Sequence, residues 1–148
     1  MSSPTLPTEH QITVGEGDAA LDSRLSEELD RHNFAAVGES NLAEFTVKVE
    51  DTAGELVAGL SGWTWGTCAG IGMVWVREDH RRDGWGGRLL ARAEEVARER
   101  GCRQVLVSSF TFQAPDFYRR QGYVEFARSE GLPVEGAADV HFVKVLAG

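Results

Sequence analysis

Apolar positions along the chain change period several times, and each change marks an element. The stretch "HQITV" is short and β-branched, which predicts a strand over residues 11–14. Asp18 then reads as a helix N-cap. In "DAALDSRLSEELDRHNF", Leu21, Leu25, Leu29 and Phe34 recur at helical spacing with acids on the other face. This predicts an amphipathic helix ending near His32 or Asn33. "AEFTVKVED" alternates from Phe45 through Val47 and Val49, and "GELVAGLSGWTWG" resumes after a turn over residues 51–54. The pair reads as a β-hairpin. "AGIGMVWV" is a continuous apolar run of strand length. Its lack of alternation predicts burial on both faces at the centre of a sheet.

From Gly84 the period becomes 3.6. Leu89, Leu90, Ala93, Val96 and Ala97 share one face, arginines and glutamates the other, and Gly101 supplies the C-cap. "QVLVSSF" is the next buried strand, and the βαβ order makes it parallel to the central one through a right-handed crossover. "QAPDFYRRQG" predicts a short helix closed by Gly122, and "YVEFARS" and "DVHFVKVL" two further strands. The fold class is therefore α/β with α+β character: one mixed sheet of six or seven strands and about three helices, antiparallel in its N-terminal part with a βαβ unit in the middle.

Length and composition narrow this to one domain. A chain of 148 residues, 42% of them hydrophobic, holds one core and not two. We place the domain at residues 10–148, after a loose, Pro- and Ser-containing segment over 1–9. No apolar run approaches the roughly 20 residues that span a bilayer, and the first ten residues lack the features of a signal peptide. The chain is expected to be soluble and cytoplasmic, with no membrane partner, and its two cysteines, Cys68 and Cys102, to be free thiols. His10, His32, His80 and His141 show no ligand spacing, so no metal is expected.

The net charge of −8 is unevenly spread: residues 1–76 hold 3 basic and 12 acidic side chains, while residues 77–103 hold 8 basic and 6 acidic. An acidic chain without a long basic face is not built for nucleic acid, but a local positive patch suits a small phosphorylated ligand.

That patch coincides with an unusual helix start. Between the apolar run and the Arg-rich helix stand Arg81, Arg82, Asp83, Gly84, Trp85, Gly86 and Gly87. A helix start presents unpaired N–H groups and partial positive charge, glycines let a phosphate approach the backbone, and arginines add bidentate donors. Together they predict a pyrophosphate cradle at the end of a central strand. A Walker A loop is excluded because no Gly-Lys pair occurs, and a dinucleotide fingerprint does not fit because the next strand ends in Ser108 and Ser109 instead of an acid.

The segment Arg81-Arg82-Asp83-Gly84-Trp85-Gly86 resembles the R/Q-x-x-G-x-G/A motif of the GNAT superfamily of N-acetyltransferases, with the expected strand before it and "GRLLARAEE" after it. "FYRRQGYVEF" is similar to a second segment of that family, so the resemblance covers roughly residues 69–126. It implies acetyl-CoA as cofactor, its pyrophosphate held by the backbone N–H groups of Arg82, Gly84, Trp85, Gly86 and Gly87, with Arg81 and Asp83 in the motif. It also implies that the backbone of Val74, Trp75 and Val76 pairs with the pantetheine arm. In the same family the central strand splays from its parallel neighbour to admit the thioester, and helices cover both faces of the sheet.

Tyr118 occupies the family's tyrosine position, which implies a general acid for the departing thiolate. Thr111 stands where many members have a cofactor-bonding Asn, and Ala114 keeps the expected Ala. The carboxylate that many members carry on the central strand is missing from "AGIGMVWV", which leaves Glu44, Glu78, His80 or an ordered water as the base. No Cys or Ser has a base neighbour, so transfer is expected to be direct. The acceptor is expected to be a small-molecule amine, with Trp63, Trp65 and Trp75 as candidate pocket walls, and a homodimer through a sheet edge is compatible with the chain.

Overall fold

The computed structural model describes residues 10–147, and the loose segment expected over residues 1–9 lies outside the described residues. The chain divides between Glu39 and Ser40 into two compact units. The first contains one helix, α1 (Ala19–Val37), capped by the Asp18 carboxylate, which accepts from Leu21 N–H at 3.0 Å. Salt bridges from Arg24 and Arg31 to Glu28 add a few tenths of a kcal/mol each at helical spacing. The helix outlasts the expected stop at His32 or Asn33 because Phe34, Ala35, Ala36 and Val37 contain no breaker. Gly38 ends it in the left-handed region at φ +77°, its N–H donating to Phe34 O. The strand expected over 11–14 does not form. Ile12 and Val14 are exposed, and β-branched side chains favour extended backbone without providing the neighbouring ladder a strand needs.

The second unit is an open six-stranded sheet: β1 (Ala43–Glu50), β2 (Leu56–Trp65), β3 (Cys68–Val76), β4 (Gln104–Phe110), β5 (Val124–Glu130) and β6 (Ala138–Val145). Their order is β1-β2-β3-β4-β6-β5, with α2 (Trp85–Glu99) crossing from β3 to β4 and α3 (Pro115–Arg120) following β4. Only β3 and β4 run parallel. The β1–β2 turn is closed by Asp51, whose carboxylate accepts from the N–H groups of Ala53 and Glu55, both at 2.9 Å. Among the described residues no helix is long and apolar enough to cross a membrane.

One apolar cluster holds the unit together. Leu89, Leu90, Ala93 and Ala97 of α2 and Tyr118 of α3 pack with Ala69, Val105, Val140 and Phe142 of the sheet. Each large side chain so buried contributes on the order of 2 kcal/mol. At its edge lies a charged link: Lys144 of β6 pairs with the buried Glu94 of α2 and donates to Gln121 O at the end of α3 at 2.9 Å. Lys144→Met would leave Glu94 buried without its partner. Because the Lys144 side chain keeps 27% of its surface in water, we expect a loss of about 2 kcal/mol, below the full cost of breaking a buried pair, read as a lower urea midpoint.

The feature that creates the site is a fault in the sheet. The β3–β4 ladder pairs Cys68 with Gln104, Ala69 with Val105 and Gly70 with Leu106, and then stops. Beyond it β3 stays with β2 as far as Val76, while β4 stays with β6 as far as Phe110. On β3, Met73 pairs with Ser61 and Ile71 with Gly62, which leaves Gly72 as an extra residue. Such a bulge increases local twist and turns the end of β3 away from β4. This corrects the expectation that β3 is buried on both faces: Met73 is 72% and Trp75 46% exposed, since the second half of β3 borders an opening.

Candidate functional site

Between the diverging strands lies a cleft of about 920 Å³. One wall is the edge of β3 from Ile71 to Val76, the other is Val107, Ser108 and Ser109 of β4, and the far end is closed by the starts of α2 and α3. The β3 edge beyond Gly70 has no strand opposite it, so its backbone is available to a guest.

At that end, α2 starts on Gly84, which sits at φ +78° and offers no side-chain cap. The first intrahelical bond runs from Arg88 N–H to Gly84 O, so Trp85, Gly86 and Gly87 keep free N–H groups. Among the described residues none accepts from the N–H of Arg82 or Gly84 either. Five donors therefore lie around one helix start. The three glycines serve three purposes. Gly84 provides the left-handed backbone. A Cβ on Gly86 would come within 3.0 Å of the Phe117 ring, so this glycine lets α3 approach α2. At Gly87 an added Cβ would meet only the Gln121 side chain, at 3.6 Å or more.

Arg81 and Arg82 line the cleft, and Arg81 Nε donates to Val76 O at 2.9 Å, which ties the loop back to the end of β3. Val74, Trp75, Val76, Gly84, Gly86 and Gly87 line it as well. Asp83 and the Trp85 side chain do not, and the Trp85 ring is stacked under Arg88 at 4.1 Å. Thr111 also lies off the cleft, its hydroxyl accepting from Ala138 N–H at 3.2 Å. Phe112, Phe117, Arg120 and Gln121 line the cleft and escape a reading of sequence motifs. Only the adjacency of Phe117 and Gln121 to Tyr118 hinted at two of them.

The loop between β3 and α2 is fixed by ions. Arg77 holds Asp79 at 2.7 Å and reaches Asp51 at 3.6 Å, while His80 Nδ1 is 3.0 Å from Asp79. The Arg77 hydrogen bond, helped by His80, pulls the Asp79 carboxyl down to about 2. A depressed acid contributes above its ordinary value near 3.8 and loses that contribution as pH falls through about 2, so the loop stays anchored at any neutral or mildly acidic pH. A carboxyl NMR titration of Asp79 should give a midpoint near 2, and Arg77→Gln should return it toward 3.8.

Tyr118 enters from α3. This helix is set by Pro115 in its first turn, by Ser109 Oγ accepting from Ala114 N–H at 3.1 Å, and by Gln113 Oε1 accepting from Phe110 N–H at 2.8 Å. The phenol ring packs on Phe142 and Tyr123, each 5.9 Å away, and only 7% of the residue is exposed. Tyr118 lines the cleft. Burial pushes this phenol above its usual value of 10, so it keeps its proton. Of the expected bases, Glu44, Glu78 and His80 all lie outside the cleft lining. Trp75 borders the cleft, while Trp63 and Trp65 do not. The arrangement offers an anion-binding helix start, a slot with a free strand edge, and a buried phenol facing that slot.

Comparison with known proteins gives a consistent result. A model described as the acetyltransferase (GNAT) family matches residues 12–123. Blasticidin-S acetyltransferase of Streptomyces morookaense is 46% identical over 74 residues, which cover 47% of this chain and 52% of that protein. The chain thus matches about half the length of that relative. An acetyltransferase of Agrobacterium fabrum (strain C58) is 29% identical over 108 residues, covering 73% of this chain and 79% of the relative. The crystal structure of an acetyltransferase from Bacillus cereus ATCC 14579 superposes with a TM-score of 0.82 at 30% identity, over 91% of this chain and 98% of the other.

Proposed function

The chain belongs to the acetyltransferase (GNAT) family, and from that premise we propose that it moves an acetyl group from acetyl-CoA to the primary amine of a small molecule, by direct transfer and without a covalent enzyme intermediate. The observation that carries this reading is the β3–β4 ladder ending at Gly70 and Leu106, with the slot so opened leading to five unpaired N–H groups at the start of α2.

These residues fit the cofactor. The N–H groups of Arg82, Gly84, Trp85, Gly86 and Gly87 would hold the pyrophosphate, with Arg81 and Arg82 adding positive charge. The free edge of Val74, Trp75 and Val76 would pair with the amides of the pantetheine arm, as an added strand pairs with a sheet edge. When bound, acetyl-CoA supplies an acetyl group activated as a thioester. The β3 backbone N–H groups that face the slot stabilise negative charge developing on the carbonyl oxygen. Tyr118 holds a proton on its hydroxyl and donates it to the sulfur as the C–S bond breaks. The side chains of Met73, Trp75 and Phe112 give the cleft an apolar and aromatic rim, suited to a small organic amine. The name of the Streptomyces relative, an enzyme acting on blasticidin S, supports a small-molecule acceptor.

Titration of acetyl-CoA into the purified protein by calorimetry tests the reading. Saturable binding is expected; a folded protein that ignores acetyl-CoA would overturn it. Release of free thiol in the presence of primary amines then tests the transfer.

A further inference from the structure

The cleft is lined from both faces of the sheet. Alternation along β4 buries Val105, Val107 and Ser109 in the core and turns Leu106 and Ser108 to the opposite face of the sheet. Tyr118 and the start of α2 stand on the core side, since Tyr118 packs on Phe142, whose register partner is Val107. On that opposite face the Trp63 ring covers Gly70, where a Cβ would fall 2.1 Å from it, at the point where β3 and β4 part. A nucleophile attacking a carbonyl held between the strands must come from the face opposite the cradle.

On that face, His141 of β6 is the register partner of Ser108, which borders the cleft. Side chains so paired stand about 5 Å apart at Cβ. His141 is half-buried, and its Nε2 lies 2.9 Å from Ser129 Oγ of β5, with Phe126 against the ring at 6.3 Å. With Nε2–H donating to Ser129, Nδ1 keeps the lone pair. β4 presents Ser108 to the imidazole, β5 presents Ser129, Ala127 and Phe126, and the charged group on this face of β6 is Asp139, two residues along and paired with Ser129 and Phe110. His141, like Glu78 and His80, is not itself in the cleft lining, but it pairs in register with Ser108, which is, whereas Glu78 and His80 are held in the Arg77 loop.

Resting on the acetyl-transfer reading above, we propose that the amine binds on the sheet face of Ser108 and His141 and that His141, oriented by Ser129, takes its proton, while Tyr118 acts from the core side. The amine nitrogen forms the C–N bond and gives one proton to His141. The C–S bond breaks, and the sulfur receives the Tyr118 proton. His141 then releases its proton to water and Tyr118 recovers one, so the two proton movements balance on opposite faces of the sheet.

The test uses His141→Gln and Ser129→Ala in the full chain, with calorimetric acetyl-CoA binding and thiol release from phenethylamine, agmatine and histamine across pH. The native protein should gain turnover as pH rises, since the base must be unprotonated to accept the proton of the amine. His141→Gln should bind acetyl-CoA as the native protein does, lose about 100-fold in turnover and lose that rise. Ser129→Ala should lose less and displace the rise along the pH axis. Native turnover and an unchanged pH profile in His141→Gln would overturn the assignment. If that variant does not fold, an unshifted profile in Ser129→Ala does the same. A native protein that fails to bind acetyl-CoA, or binds it and acetylates none of the amines, overturns the acetyl-transfer reading and this assignment with it, whereas native turnover in His141→Gln overturns this assignment alone.

Discussion

Tyr118→Phe is expected to lower amine acetylation by about 100- to 1000-fold while leaving acetyl-CoA affinity within about twofold. The substitution removes one oxygen and keeps the ring that packs on Phe117, Tyr123 and Phe142. Because that ring packing is kept, the melting midpoint should change little. The effect then belongs to proton delivery alone. Burial raises this phenol above 10, so the native enzyme should not lose turnover through Tyr118 ionising until the pH exceeds about 10. An alkaline decline at lower pH that persists in Tyr118→Phe would come from another group. Unchanged turnover in Tyr118→Phe would remove the phenol from the chemistry, and a parallel loss of acetyl-CoA binding would make it a packing residue.

The second large effect is expected from Gly86→Glu, which should weaken acetyl-CoA binding by at least about 100-fold, read by calorimetry. Two causes act together. The new Cβ meets the Phe117 ring at 3.0 Å, so the α2–α3 approach must open, and the carboxylate brings negative charge to a helix start arranged for an anion. Losing two charge-assisted hydrogen bonds costs about 3–6 kcal/mol, and each 1.4 kcal/mol is about tenfold in affinity. Gly86→Ala separates the causes, since it keeps the crowding and adds no charge; its loss should be smaller than that of Gly86→Glu. Gly87→Ala meets only the flexible end of Gln121 and should lose less than Gly86→Ala. If Gly86→Glu folds and binds acetyl-CoA as the native protein does, the helix start is not the phosphate cradle.

Lys144 and Glu94 bear on both experiments. The pair joins α2, which carries the cradle, to Gln121 at the end of α3, which carries Tyr118. Both helix starts are thus held by one packed unit. A variant that loosens this link would be expected to affect binding and turnover together, unlike Tyr118→Phe.

The sequence by itself determined the elements whose signals are local. The 3.6 period of Leu89, Leu90, Ala93 and Ala97, the glycines at 84, 101 and 122 that bound the helices, and the hairpin turn at Asp51 stand where their spacing put them, because period, capping and turn chemistry act within a few residues. Tertiary structure alone decided what depends on partners distant in the chain. Residues 11–14 had strand composition and no ladder to join. The run from Ala69 to Val76 looked buried throughout, yet the bulge at Gly72 and the ladder's end at Gly70 left Met73 and Trp75 exposed along an opening. Gly86 reads from the sequence as room for a phosphate, and the structure shows it as room for Phe117. His141 and Ser129, twelve residues apart, meet only because β5 and β6 pair in one register, and His141 stands beside Ser108 only because β6 lies beside β4. Local patterns specify elements, whereas the placement of elements side by side is set by burial and hydrogen-bond pairing across the whole fold, and the site lies where that pairing fails.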